Sequence, residues 1–581
     1  MNTDNKLENM HTYFKLPIFY NTKKVQLKEN VIKDLELVET VDASSNSIMS
    51  FFFNSSNSNV FANKIGQQAC LHYTTDVDFL KENQTLLQEY KKIENKYTFT
   101  DKDYKTIIDV WSEIKGDTGF KEKYQYVDWS IFEFLNTSEH FLQIMSLYNM
   151  ISPVISFFIP IIILIIPFFV IRLKGLTLTV EEYIDVLKLV AENHALGKLF
   201  TKFNEVSINE KIYFVASAMF YLFSIYQNVL VCIRFNSNMI KIHNHLRDVQ
   251  LYLDFTIASM DNYLVYSSNL MTQKEFNDIV HDKKQTLIEF KNKLAIVSEY
   301  KFTNFTKVFE IGHILKTFYE LYDNKVYNDA FMYSFGFNGY IDLLEGVIVN
   351  IEEKKVNFCE FISENKKTIF KNNYYACLKD ANPVKNTVKL SKNLIITGPN
   401  ASGKTTILKS TLINIIFSQH FGCGFYDSAK INPFHHIHCY LNIPDTSGRD
   451  SLFQAEARRC KEILDIVDKN KNDNHFCVFD EIYSGTNPDE AIVSAVSFME
   501  YLIKNKNVSC LLTTHFIKVC KKLKKNKTIL NLYMDTTKNN NKIHYTYSMK
   551  EGISNVKGGI NVLCDMNYPK EIIDNTIKNL T

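Results

Sequence analysis

Three patterns of apolar and polar positions succeed one another along this chain. Up to about residue 140, apolar residues recur at helical spacing. In Asp78-Phe79-Leu80-Lys81-Glu82-Asn83-Gln84-Thr85-Leu86-Leu87 they share one helix face, two turns apart. Ser44 to Asn63, rich in Ser and Asn, reads as loop. The pattern then changes abruptly, for no charged residue occurs from Phe141 to Ile171. The heart of that run, Phe157 to Val170, is almost wholly apolar. Roughly 20 such residues at about 1.5 Å each cross a bilayer core of about 30 Å. A long core helix of a soluble protein usually keeps one polar stripe, and this run has none over several turns. Pro153, Pro160 and Pro167 would break a soluble helix but are tolerated in membrane helices. Ile212 to Ile233, between Lys211 and Arg234, is a second uncharged run, and it contains Ser217, Ser224, Gln227 and Asn228. Together the runs predict a membrane hairpin over 141–234, with spans at about 147–171 and 212–233.

The hairpin separates a helical region, 1–140, from the two regions 235–373 and 374–581. Its connecting loop, 172–211, carries six basic and six acidic residues, so charge there does not set orientation. Residues 235–373 read as long amphipathic helices. Ile279-Val280 and Leu287-Ile288 recur two turns apart, and no Gly or Pro occurs between Arg234 and Glu310. From 374 to 581 short β-rich runs (Asn393–Thr397, Phe476–Phe479, Ser509–Thr513) alternate with helical ones (Thr405–Phe417, Asp489–Ile503). That alternation predicts an α/β domain with a largely parallel sheet. The fold class expected is therefore mixed: a mostly α N-terminal part with a transmembrane hairpin, then a C-terminal α/β P-loop NTPase domain.

Composition alters this picture little. The 581 residues are 46% apolar and 22% charged, which excludes a disordered or collagen-like chain. The net charge of +2 argues against a surface that binds polyanions everywhere, and leaves a local basic groove open. Eleven scattered cysteines without a CxxC pair argue against a disulfide scaffold or a thiolate zinc site. The mixed polar start, Met1 to Lys15, carries no apolar signal-peptide core, so a cytosolic address is expected for most of the chain.

The chemistry is concentrated in the last third. Gly398-Pro399-Asn400-Ala401-Ser402-Gly403-Lys404-Thr405 matches GxxxxGK[ST] between an apolar run and a helical one. In such a loop backbone N–H groups turn toward phosphate oxygens, Lys404 reaches the β- and γ-phosphates, and the Thr405 hydroxyl can ligate Mg²⁺. Thr406 continues the binding segment. Phe476-Cys477-Val478-Phe479-Asp480-Glu481 is an apolar strand ending in two carboxylates. Asp480 suits an outer-sphere contact to the metal, and Glu481 is placed to polarise attacking water. His515 ends a third strand, at the sheet edge where a nucleotide's γ-phosphate would lie. His435-His436-x-His438-Cys439 could suggest a metal site, but it lies on a strand-like run, where alternate side chains face opposite ways, so the four cannot all converge without distortion. The lysine run Lys518, Lys521, Lys522, Lys524, Lys525 and Lys527 reads as a solvated helix face, or as a contact to anionic lipid or nucleic acid.

These segments together resemble the MutS family of DNA mismatch-repair ATPases. Ile396–Thr405 is similar to its ITGPNxxGKS/T loop, Asp480-Glu481-Ile482-Tyr483-Ser484-Gly485-Thr486 to its DE-x-x-x-GT segment, and Thr513-Thr514-His515-Phe516 to its TH-aromatic. Asp445–Glu456 resembles its signature loop, and Pro383-Val384-Lys385-Asn386 its segment near the adenine. Lys550-Glu551-Gly552 and Asn567-Tyr568-Pro569 echo its closing motifs. The resemblance covers about residues 374–575. It implies ATP and Mg²⁺ as cofactors, hydrolysis of ATP, and a homodimer with composite sites. In that arrangement Ser451 meets the γ-phosphate held by the other subunit, and Gly485 and Thr486 lie at the interface. Asn400 would help place phosphates and water, and Asn386 would lie near the base. Without the resemblance, Ser451 reads as a plain N-cap or turn serine.

The departures bear on function. The family's mismatch reader carries a Phe-x-Glu wedge. Here Phe358-Cys359-Glu360 has that spacing just before the ATPase region and reads as coincidence. About 370 residues precede that region, too few for the family's full set of domains, and little is left after Pro569 for a helix-turn-helix. The expectation is a membrane-anchored offshoot, with its N-terminal region and ATPase domain facing the cytosol. It would be an ATP-gated dimer acting on duplex DNA in mismatch repair or DNA maintenance. The alternative is a mechanical ATPase that remodels a lipid or protein partner.

Overall fold

The computed structural model describes residues 10–580 except 43, 55–58, 70, 94–98, 117–118, 176–178, 194–206, 296–307, 363–366, 442–450, 540–541, 555, 557–562 and 564–565. Side chains are also not described at 160–161, 163–164, 167, 190–193, 538–539, 542–543, 577 and 579–580. The chain forms two compact units that do not follow chain order. One comprises Phe99–Ile257 and Gln285–Phe331; the other Leu7–Thr98, Ala258–Lys284 and Met332–Thr581.

The first unit is helical. Its long members are α1 (Glu139–Leu173), α2 (Val180–Asn193) and α3, which runs Ile208–Ser267 and reaches beyond the unit. Ser138 caps α1, its hydroxyl accepting from Phe141 N at 3.4 Å, and the helix continues through all three prolines. α1 and α3 run antiparallel and bring polar groups together between them. Cys232 Sγ points at Met150 O (3.7 Å), Asn228 Nδ2 donates to Ser156 Oγ (2.5 Å), and Tyr221 Oη donates to Phe157 O (3.0 Å). Ser152 and Ser156 are buried, whereas Phe157, Phe169, Phe220 and Phe223 are each more than half exposed. A soluble helix pair has the opposite arrangement, because burying apolar area stabilises by about 25 cal/mol per Å². Both helices are long and apolar enough to cross a membrane, and only 22% and 6% of their most apolar stretches are buried. After α1 the chain turns back, and Tyr183 of α2 accepts from Phe168 N at 3.0 Å.

The second unit is built on a six-stranded sheet. Its strands are β1 (Asn393–Thr397), β2 (His436–Tyr440), β3 (His475–Asp480), β4 (Val508–Thr514), β5 (Ile529–Asn539) and β6 (Lys542–Glu551). The order is β6-β5-β1-β4-β3-β2, parallel except for the β5–β6 hairpin. β1, β3 and β4 read as near-continuous apolar runs because both faces of a parallel sheet are covered. Helices α4 (Lys404–Phe421), α5 (Leu452–Lys469) and α6 (Pro488–Leu502) supply part of that cover. Cys460, Ile463, Phe479, Ala495, Met499 and Leu512 lie within one buried apolar cluster. The alternation of strands and helices read from the sequence is thus realised. A second, five-stranded sheet includes Asn357–Phe361, so Phe358-Cys359-Glu360 is a strand segment with Cys359 buried.

One expectation needs correction. Ser44 to Asn63 is not simply loop, for Ile48–Phe52 and Val60–Ala69 are helices. The polar composition hid a tertiary anchor: Ile48, Met49 and Phe52 are buried, and Phe52 stacks on Phe417 of α4 at 4.0 Å. The helix expected at Asp78–Leu87 is present as Val77–Glu89.

Candidate functional site

The site lies at the C-terminal edge of the parallel strands, where open α/β sheets hold ligands. β1 ends at Thr397 and the chain turns through Gly398–Gly403 into α4. Gly403 sits at φ +92°, a left-handed conformation in which a β-carbon would be strained, and it starts the helix. Ala401 is also left-handed, at φ +62°. The loop closes on its own lysine. Lys404 is buried, and its Nζ donates to Gly398 O (3.0 Å) and Pro399 O (3.2 Å). The same Nζ lies 3.7 Å from Glu481 Oε1. Ser402 Oγ is buried in this cradle without a hydrogen-bond partner. Asn400 and Ala401 of the loop and Thr406 of α4 are exposed.

β3 delivers the carboxylates. Asp480 accepts from the Thr405 hydroxyl (2.8 Å) and from the Thr513 hydroxyl. This joins α4, β3 and β4 through hard oxygen atoms of the kind Mg²⁺ prefers. Glu481, one residue on, pairs with Lys404 and His515. His515 Nδ1 lies 3.3 Å from its Oε2. The hydrogen-bonded His515 ring holds the Glu481 carboxyl below the ordinary glutamate value. Burial opposes this, and the charge of Lys404 adds to the lowering. The structure thus brings together Lys404, Thr405, Asp480, Glu481 and His515, all named from the sequence.

Glu481 (φ +50°) and Tyr483 (φ +59°) occupy left-handed backbone, which costs on the order of 1–3 kcal/mol each in a non-glycine residue. Two devices hold them there. Glu481 N donates to Thr513 O at 3.0 Å. Glu456 of α5, almost fully buried, accepts from Ser484 N (3.1 Å), Ser484 Oγ (3.1 Å) and Gly485 N (3.2 Å). Gly485 is required for close approach, since a β-carbon there would meet Leu452 side-chain atoms at 2.7–2.9 Å. The sequence alone assigns Glu456 and Thr513 no role. Glu456 is visible there only as one position of a motif, and its task depends on contacts made 28 residues away.

Two residues named from the resemblance have structural engagements of their own. Ser451 caps α5: its Oγ accepts from Gln454 N (3.3 Å) and its N donates to Gln454 Oε1 (3.0 Å). Capping uses the hydroxyl as an acceptor, and its proton remains a donor. Most of the loop before Ser451 lies outside the described residues. Asn386 bridges its strand to β6, donating to Tyr547 O (2.9 Å) and accepting from Met549 N (2.7 Å). This sets the Tyr547 ring near the loop, 3.3 Å from a β-carbon built on Gly403. Thr486 Oγ1 donates to Glu490 (2.9 Å).

The side chains of the histidine segment have separate partners. His436 pairs with Asp473 (3.0 Å), His438 with His475 (3.2 Å), and Cys439 points at Asp34. No metal-holding cluster of His, Cys, Asp or Glu occurs among the described residues. The lysine run is exposed, and Lys518 faces Asp489 at 3.3 Å. All nine cysteines among the described residues are free.

Residues 394–581 match the family model for MutS domain V. The match contains every residue of the lysine–carboxylate–histidine arrangement. A DNA mismatch repair protein MutS of Persephonella marina (strain DSM 14350 / EX-H1) is 30% identical over 201 residues, 33% of this chain and 22% of that protein. An Endonuclease MutS2 of Staphylococcus carnosus (strain TM300) is 26% identical over 304 residues, 48% of this chain and 37% of that protein. The chain therefore matches about a fifth and just over a third of the length of these relatives.

Proposed function

We propose, on the premise that this chain belongs to the MutS family through its domain V, that it is a Mg²⁺-dependent ATPase. It converts ATP to ADP and phosphate and works as an ATP-gated dimer. The observation that carries the reading is one edge of one sheet, where Lys404, Thr405, Asp480, Glu481 and His515 converge. The cradle fits a triphosphate: Ser402 Oγ is a buried, unpartnered hydroxyl, and Lys404 is already turned inward. Thr405 and Asp480 would hold Mg²⁺, which supplies charge neutralisation on the phosphate oxygens. Lys404 exchanges its carbonyl partners for β- and γ-phosphate oxygens. Glu481, kept ionised by His515, orients the attacking water and takes its proton. His515 steadies that carboxylate and faces the γ-phosphate. Ser451 of a second copy donates to the same phosphate across the dimer. Equilibrium binding of ATP to the purified chain tests the first part. Lys404→Ala should weaken it about 10²-fold or more, and unchanged affinity would remove Lys404 from the site.

The relatives' names point to DNA maintenance as the output. Duplex binding should then fall steeply with salt, and mismatched duplex should be compared with matched. Absence of binding at low salt removes DNA as the partner. A second reading is favoured by the inverted helix pair, polar inside and apolar outside. In it the chain is anchored in a membrane by α1 and α3, its ATPase domain faces the cytosol, and it remodels a lipid or protein partner. Carbonate extraction with protease protection of the 172–211 loop tests the anchor. Release into the supernatant would refute it.

A further inference from the structure

Just before α1 the chain makes an eight-residue 3₁₀ segment, Ser130–Thr137, preceded by Trp129. Trp129, Ile131 and Phe134 are 74%, 79% and 65% exposed, and Phe132 is 44% exposed. Four large apolar side chains so close together on a surface are unusual, because each forgoes about 1.5–3 kcal/mol available on burial.

The segment is held rigidly with that face outward. Asn136 is fully buried, and its side chain accepts from Val127 N (2.9 Å) and donates to Val127 O (2.8 Å). Glu133 is tied to Lys121 (2.6 Å) and to the Tyr319 hydroxyl (3.0 Å). The apolar residues are therefore displayed by a built underside.

The height of this ledge along the hairpin can be read from its contacts. Lys123 O accepts from Asn238, outside the second uncharged run. Two residues on, Gln125 Oε1 accepts from Asn149 Nδ2, at the start of the apolar part of α1. Cys232, beside Met150, marks the same level on α3, with Arg234 just beyond it. From Gln125 the chain passes through Trp129 and returns to the start of α1 at Glu139. The ledge thus begins at the height of Asn149 and Cys232, near the ends of the spans expected at about 147–171 and 212–233.

We propose that Trp129, Ile131, Phe132 and Phe134 form a membrane seat that enters the headgroup–acyl boundary of the leaflet on the Arg234 side of the hairpin. The seat depends on the membrane reading of α1 and α3. A tryptophan with neighbouring apolar residues suits that boundary, which accepts such side chains to a depth of about 5–10 Å. The lipid surface is favoured over a second copy because the ledge adjoins the exposed apolar hairpin at its end level.

The chain has two tryptophans, and Trp111 is buried against Phe331. Subtracting the emission of Trp129→Phe from that of the full chain therefore isolates Trp129 without touching the core. The full chain is reconstituted in phosphatidylcholine vesicles brominated at shallow or at deep acyl positions, and carbonate resistance is measured on the same samples. The expected result is blue-shifted Trp129 emission and about twofold stronger quenching by shallow than by deep bromines. Water-like, unquenched emission in carbonate-resistant protein overturns the seat and leaves the hairpin standing. Water-like emission in carbonate-extractable protein overturns both. Quenched emission in extractable protein overturns the spanning hairpin and with it the proposal, leaving a peripheral lipid contact. A shift that tracks protein concentration instead of lipid assigns the ledge to self-association and overturns the proposal.

Discussion

Removing the Glu456 carboxylate should impair hydrolysis while leaving nucleotide binding nearly intact. Glu456 accepts three hydrogen bonds from Ser484 and Gly485, immediately after the left-handed Glu481 and Tyr483. Glu456→Ala leaves two backbone N–H groups and a hydroxyl to find other partners, at about 1–3 kcal/mol for each that stays buried and unsatisfied. The exposed position of Ser484 lets water recover part of this, so a net loss of about 2–3 kcal/mol in holding the loop is reasonable. The strain at Glu481 and Tyr483 is of the same order, so the loop relaxes once the carboxylate is gone. A loss of about 2 kcal/mol in the competent conformation corresponds to roughly a 30-fold lower kcat. Lys404, with its carbonyl contacts, belongs to a different element and should keep KM within about twofold. Steady-state phosphate release by the full chain over a range of ATP concentrations separates the two parameters. Unchanged kcat, or a raised KM with unchanged kcat, would refute the view that Glu456 positions Glu481.

The same geometry predicts three other outcomes. His515 lowers the Glu481 pKa, so the ionised carboxylate and the stability of its pairing persist above the unfolded value and are lost as pH falls through the lower folded value. His515→Ala should therefore move the acid limb of the pH–kcat profile to higher pH, and an unmoved limb would contradict the pairing. Gly485→Ala should lower the thermal midpoint through its clash with Leu452, and Leu452→Ala in the same chain should recover part of it. Failure of the double variant to recover would place the strain elsewhere. Thr513→Val should weaken Mg²⁺ dependence less than Thr405→Val, because Thr513 orients Asp480 whereas Thr405 would also touch the ion. Titration of activity against Mg²⁺ distinguishes them.

The sequence makes legible what local patterns encode. The apolar run before Gly398 and the helix beginning at Lys404 define strand, loop and helix, and parallel pairing of β1, β3 and β4 brings Asp480, Glu481 and His515 to the same edge. The hairpin is legible as two uncharged runs; its inward-facing Ser156, Tyr221 and Asn228 are not, because their partners lie some 64–72 residues away. Glu456 is legible only as the last position of the segment Asp445–Glu456; its hold on Ser484 and Gly485 is not, because those partners lie 28 and 29 residues away. Ile48–Phe52 is concealed by its Ser and Asn neighbours, and only the stack on Phe417 explains it. The joining of Leu7–Thr98 with Met332–Thr581 in one compact unit has no local signature.

The central claim is hydrolysis of ATP at Glu481, and phosphate release by purified Glu481→Gln protein tests it most directly. The substitution keeps the size of the side chain and removes its charge. The predicted result is at least about a 10²-fold fall in kcat, with ATP still bound at near wild-type affinity and turnover by the unaltered chain abolished by EDTA. Phosphate release by Glu481→Gln at the wild-type rate would contradict it.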